Sequence, residues 1–278
     1  MGKFYESIPT DLVDWIMKQE MFWVATAPLS GEGHVNISPK GLRGSFHIVN
    51  ESRVWYQDLT GSGSETIAHL KENGRITILF NAFEGPARIC RLFGRGKVYE
   101  FGTSEYDELI PVADRMPGSR AAVVIDVHKV GTSCGFGVPK YEFVGHRRVL
   151  VTWLNGLEHK EQSFASSIDD SRPLPHPGTS GAPNALKAYW ASENTRSIDG
   201  LPGFSTALVA TSVPVAGLSV EEICAKADPE KAKVRDEDMK VATKGRMLLR
   251  LREDVRLLLA FLVGAIVTMT YTRVLNAC

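Results

Sequence analysis

The chain has few cysteines, no net charge and no run of apolar residues long enough to be an unambiguous membrane span, and each shortage removes a class of protein. Cys90, Cys134, Cys224 and Cys278 are far apart and make no Cys-x-x-Cys pair, so neither a disulfide framework nor a structural zinc site is expected, and free thiols in a reducing compartment fit best. The seven histidines show neither His-x-x-x-His nor His-Glu-x-x-His spacing, so no metal is expected. Thirty-two basic residues balance 32 acidic ones, and no arginine-rich helix or aromatic-basic stripe breaks that balance locally. Nucleic acid is therefore not an expected partner. The stretch MGKFYESIPTDLVDW carries no apolar signal segment, so the main domain is expected in the cytoplasm.

What is present is concentrated between Val54 and Asn73, VWYQDLTGSGSETIAHLKEN. A β-type run breaks into a glycine-serine loop and restarts as a helix. Gly61 and Gly63 allow close backbone approach to a ligand, and Ser62, Ser64 and Thr66 set hydroxyls beside the unpaired N–H groups of the helix start. That arrangement suits an anionic phosphate; the alternative is a plain connection whose serines only cap the helix. The loop lacks the third glycine of the dinucleotide fingerprint and the Gly-Lys-Ser/Thr of a nucleotide P-loop, so the phosphate belongs to a different ligand.

Around this segment the pattern predicts a helix from Thr10 to about Glu20 and strands at 22–27, 34–38, 45–49 and 53–57, joined by connections too short for crossover helices. A helix at 65–73 is followed by strands at 75–83, 88–94 and 96–101, a helical stretch at 104–113 and a strong strand at 121–129. Short antiparallel strands with few helices imply a mainly β, α+β fold built on a small closed barrel. Residues 160–183, rich in Ser, Pro and Asp, are expected to form a mobile loop, with a short helix resuming at 185–193 and a turn at 197–203.

Near the end, Leu257 to Thr272 is a stretch of 16 residues without a charge, preceded by Arg246, Arg250, Arg252 and Arg256 and followed by Arg273. A bilayer span takes roughly 20 apolar residues. The stretch therefore predicts either a tail anchor to an intracellular membrane, lengthened by snorkelling arginines, or a helix buried in a core or dimer interface.

With the loop set inside a small antiparallel barrel, the chain resembles the pyridoxamine 5'-phosphate oxidase-like family, the FMN-binding split barrels. HVNISPKG (34–41), the block from Val54 to Gly85 and RLFGRGKV (91–98) carry the likeness, and SCGFGVP (133–139) and YWASENTRSIDGLPG (189–203) resemble elements of a fungal and bacterial subgroup. The resemblance implies FMN as cofactor and a homodimer with FMN at the subunit interface. It assigns the phosphate to Ser62, Gly63, Ser64 and Thr66 with countercharge from Lys40. It also places Ser38, Tyr56, Gln57 and Asp58 along the ring and ribityl chain, and Arg91 with the Cys134–Gly135 turn closing the site. The implied organisation is a split-barrel domain over 1–155, a loop and family-specific extension packing on the barrel over 156–205, a variable linker over 206–245 and a basic-flanked hydrophobic helix over 246–278.

One departure bears on substrate. Where pyridoxamine phosphate oxidases carry an Arg-Lys pair, this loop reads Gly-Ser-Gly-Ser, and the last residues are Val-Leu-Asn-Ala-Cys instead of an arginine-bearing tail. The expected function is FMN-dependent oxidation or reduction of a small organic molecule other than the vitamin phosphate. The alternative is a non-catalytic flavin-binding or interaction protein that keeps the fold. Flavin chemistry needs no catalytic triad, and no catalytic residue is assigned. Cys134 is either a redox-active thiol or a small buried residue.

Overall fold

Along Met21–Thr26 (β2) the side chains alternate half-exposed and buried, with Phe22, Val24 and Thr26 facing inward, the period-two signature of a strand with one face on a core. The computed structural model describes residues 2–167 and 182–225, all within the compact unit Met1–Ala227. Besides β2, its strands are Lys3–Tyr5 (β1), Asn36–Gly41 (β3), Phe46–Asn50 (β4), Arg53–Leu59 (β5), Arg75–Asn81 (β6), Ile89–Glu100 (β7) and Ser119–Ser133 (β8). All pair antiparallel in the order β3-β2-β6-β7-β8-β5-β4, with β1 added to β8.

The sheet curls without closing its ladder. β3 and β5 are five steps apart in strand order, yet Lys40 of β3 reaches Asp58 of β5 at 2.8 Å. The architecture is thus the split form of the barrel, an antiparallel α+β fold, rather than a fully hydrogen-bonded cylinder. Inside it Phe22, Phe46, Tyr56 and Phe80 pack with ring centroids 5.1–5.8 Å apart, many at tilted or edge-on angles that suit aromatic quadrupoles.

Two expected strands, at 88–94 and 96–101, run as the single β7, with a register shift between Phe93 and Gly94. Glycine is needed at the shift because a Cβ on Gly94 would meet the Ile125 side chain and the Asp126 backbone, so the close passage of β7 over β8 at this point depends on it.

The helices are Thr10–Met17 (α1), Glu65–Asn73 (α2), Ser104–Leu109 (α3), Val149–Ser167 (α4), Leu186–Glu193 (α5), Thr206–Val209 (α6) and Val220–Ala225 (α7). α2 ends where Gly74 takes a left-handed conformation (φ +71°) and returns its N–H to Leu70 O. α4 differs from expectation, since it continues through Ser167 into the segment read as a loop. Its inward face is Val151, Leu154, Leu157, Glu158 and Glu161, helical in spacing but interrupted by carboxylates, and both acids are satisfied by backbone amides. The described part of the expected 206–245 linker holds α6 and α7, with Val220 and Ile223 packed in a small cluster with Met116 and Val151.

The expectation of a transmembrane, membrane-associated chain is corrected. Among the described residues no helix is long and apolar enough to cross a membrane. Residues 257–272, on which that expectation rested, lie outside the described residues.

Candidate functional site

At the end of β5 the ladder with β8 shifts register between Asp58 and Leu59, and the chain leaves the sheet through residues 60–64 before α2 begins. Three charged side chains from three strands converge at this point. Asp58, 1% exposed, accepts from Lys40 Nζ and from Arg120 Nε, each at 2.8 Å. Burial pushes the Asp58 carboxyl up, but the Lys40 and Arg120 charges and their hydrogen bonds pull it further down, and it stays ionised below the ordinary carboxylate value. A buried acid between two cations is costly to break, since removing one partner strands the others.

Arg120 also organises the loop. Its guanidinium donates to the carbonyls of Gly61 (3.1 Å) and Gly63 (2.9 Å) and to Asn194 Oδ1 (2.8 Å). The Asn194 amide in turn donates to Gly61 O at 2.9 Å and Ser62 O at 3.4 Å. With the carbonyls turned towards Arg120 and Asn194, the amides of residues 62–66 find no acceptor among the described residues. This is the polarity of an anion cradle at a helix start.

Further ties fasten the loop to the 182–225 extension. Trp190, fully buried, donates from Nε1 to Thr60 Oγ1 at 2.8 Å, and Ser64 donates its hydroxyl to Arg196 O at 2.8 Å. The extension is anchored elsewhere by Glu100, which is buried, pairs with Lys71 and accepts from Ser205 N and Ala207 N at the start of α6.

These residues border a cavity of about 530 Å³. Its polar wall is Ser38, Lys40, Asp58, the 60–66 loop and Arg120; Leu42, Leu150 and Val151 supply apolar surface, and His146 and Arg147 complete the rim. His146 accepts from Arg43 N at 3.2 Å, and burial, with the Arg43 charge, depresses its pKa. Gln57 also borders the cavity, but its side chain is occupied: Nε2 donates to Asp114 O and Oε1 accepts from Met116 N.

Of the residues singled out in the sequence, the cavity gathers Ser38, Lys40, Gln57, Asp58, Ser62, Gly63, Ser64 and Thr66. Four are not brought there. Tyr56 is fully buried against Phe22, in the aromatic cluster of the barrel core, with its hydroxyl unpartnered. Arg91 pairs across from Gly131 in the β7–β8 ladder, Cys134 is exposed just beyond the end of β8, and Gly135 packs on Arg88 and Ile89. Arg120 is at the other end of β8, so roughly 45 Å of strand path separates it from Cys134. Lys40 differs in role as well, its charge being shared with Asp58.

Arg120, Asn194 and Trp190 were not anticipated as site residues. Arg120 had one visible signal, a lone cation heading the apolar run AAVVIDV; Asn194 and Trp190 sit within a block noted only for its family likeness.

Among solved structures, a HupZ protein of Group A Streptococcus is 26% identical, with a TM-score of 0.37 over 44% of this chain and 91% of that one. An FMN-binding protein from Syntrophomonas wolfei is 16% identical, with a TM-score of 0.31 over 43% of this chain and 80% of that one. The pyridoxamine 5'-phosphate oxidase family model matches residues 8–134. The pyridoxamine 5'-phosphate oxidase family protein ustO of Aspergillus flavus is 36% identical over 223 residues, covering 75% of this chain and 80% of that protein. A likeness of that extent, together with the split antiparallel barrel, shows that the chain belongs to the pyridoxamine 5'-phosphate oxidase family.

Proposed function

We propose that the chain binds FMN in the cavity beside the 60–66 loop and acts as an FMN-dependent oxidoreductase on a small organic molecule other than the vitamin B6 phosphate. The observation that carries this reading is the orientation of the loop, whose carbonyls are held by Arg120 and Asn194 while the amides of residues 62–66 find no acceptor among the described residues. The residues fit a phosphate without an Arg-Lys pair: Ser62 and Gly63 are exposed at the loop tip, and Lys40 and Arg120 against Asp58 leave one positive charge. Ser64 contributes through its amide, because its hydroxyl is committed to Arg196 O. The apolar wall of Leu42, Leu150 and Val151 suits a flat ring system. Flavin, when bound, supplies hydride acceptance at N5, and the chain's own residues bind it, orient it and exclude water.

The reading includes a homodimer. Within one subunit Arg91, Cys134 and Gly135 lie towards the far end of β8 from the cavity, so they reach a flavin only from a second copy. One observation favours the non-catalytic alternative: the buried acid of the wall, Asp58, is locked between two cations, leaving it unsuited to proton transfer.

The test is the visible spectrum of the purified full chain with and without added FMN, mass identification of any released cofactor, and reduction by NAD(P)H followed by reoxidation in air. Stoichiometric FMN that cycles is the expected result. Bound FMN that never turns over supports the alternative, and a colourless protein that refuses FMN removes both.

A further inference from the structure

Behind the cavity wall, one amide is bonded to two of the side chains that line it. Asn36, half-buried on β3, does not itself border the cavity. Its Nδ2 lies 3.0 Å from Thr66 Oγ1 and 3.4 Å from Thr26 Oγ1, and its Oδ1 lies 3.1 Å from Ser38 Oγ. An amide has two N–H donors on nitrogen and an acceptor on oxygen. Two hydroxyls at the nitrogen and one at the oxygen match that inventory, whereas the flipped amide, although its oxygen could accept from both threonines, would leave one of its two N–H donors without a partner.

The directions follow. Ser38 spends its proton on Asn36 Oδ1, so only lone pairs remain for the cavity. Thr66 accepts from Asn36, so its proton remains free, and it has no other hydrogen bond among the described residues.

We propose that Asn36 is a positioning residue that sets the polarity of the cavity wall, fixing Thr66 as a donor and Ser38 as an acceptor towards the ligand. The inference rests on the phosphate reading of the 60–66 loop, in which the Thr66 proton adds to the loop amides facing an anionic oxygen. Ser38 then selects an N–H or O–H group on the same ligand.

The test compares FMN with riboflavin, which lacks only the phosphate, by flavin fluorescence on the full chain. In Asn36→Asp the carboxylate can only accept, so it draws the Thr66 proton away and adds negative charge behind it. FMN affinity is expected to fall about tenfold or more, with riboflavin changing less than about threefold. Asn36→Ala, which leaves both hydroxyls free to rotate, is expected to lower the FMN preference by a smaller factor and serves if the aspartate variant does not fold. In a Thr66→Val background Asn36→Ala should then have no further effect on that preference.

A wild-type FMN preference that both Asn36 variants retain, or a loss of FMN and riboflavin in equal measure, overturns the inference and leaves the phosphate reading standing. A wild-type chain that binds the two flavins equally overturns the phosphate reading and the inference together.

Discussion

Glu158 shows how far a buried acid can be moved by its surroundings. It is 1% exposed on α4 and accepts from Gly118 N at 2.7 Å and Ala216 N at 3.0 Å. Burial pushes its pKa up to about 7, against the opposing pull of those amides and of Arg115. Between its ordinary value of 4.5 and about 7, the folded chain keeps a proton that the unfolded chain has released. Stability should therefore fall as pH rises through that window and level off above it. Glu158→Gln is expected to remove about 3 kcal/mol of this decline, read from urea unfolding between pH 4.5 and 8; a variant with the wild-type slope would show that other groups carry it. Asp58 lies at the opposite extreme. It is equally buried, yet two cations within 2.8 Å keep it charged, so it gives the site a fixed charge rather than a titration.

At the scale of elements, the loop between β5 and α2 is shaped by a part of the chain more than a hundred residues away. Asn194 follows α5 and holds two of the loop carbonyls, and Gly203 lies so close that a Cβ there would meet both Asn194 O and the Ser64 side chain. Asn194→Ala is expected to lower FMN affinity about tenfold while costing about 1–2 kcal/mol of stability, from flavin titration and urea unfolding, because the Gly61 and Ser62 carbonyls lose the Asn194 donor, leaving Arg120 alone on the loop, while the barrel core is untouched. Unchanged affinity would mean that Arg120 alone orients the loop. The elements themselves differ in how much the chain announces them. α2 could be read outright, with Glu65 opening it and Gly74 just past its end, and it runs Glu65–Asn73 as expected. α4 could not, because Glu158 and Glu161 interrupt its apolar face, and the amides that satisfy Glu158 lie 40 and 58 residues away. A carboxylate whose partner is that distant reads as solvent-exposed.

For the whole molecule, the proposed homodimer predicts a mass near twice 30.6 kDa by sedimentation at micromolar concentration, with dissociation weakening flavin binding. A monomer that binds FMN at full affinity would mean that one copy holds the complete site, without Arg91, Cys134 or Gly135. The sequence alone determined what depends on neighbours along the chain: the period-two strands, the glycine-serine turn, the helix that follows it and the family likeness all rest on local pattern. It also placed Ser62, Ser64 and Thr66 together, because one loop carries them. Only the tertiary structure decided that Lys40 and Arg120 share Asp58 and that Asn194 orients the loop, across separations of 18, 62 and more than 130 residues. It likewise decided that Tyr56 faces the core. Those outcomes follow from strand register and sheet curl, which select which distant side chains meet.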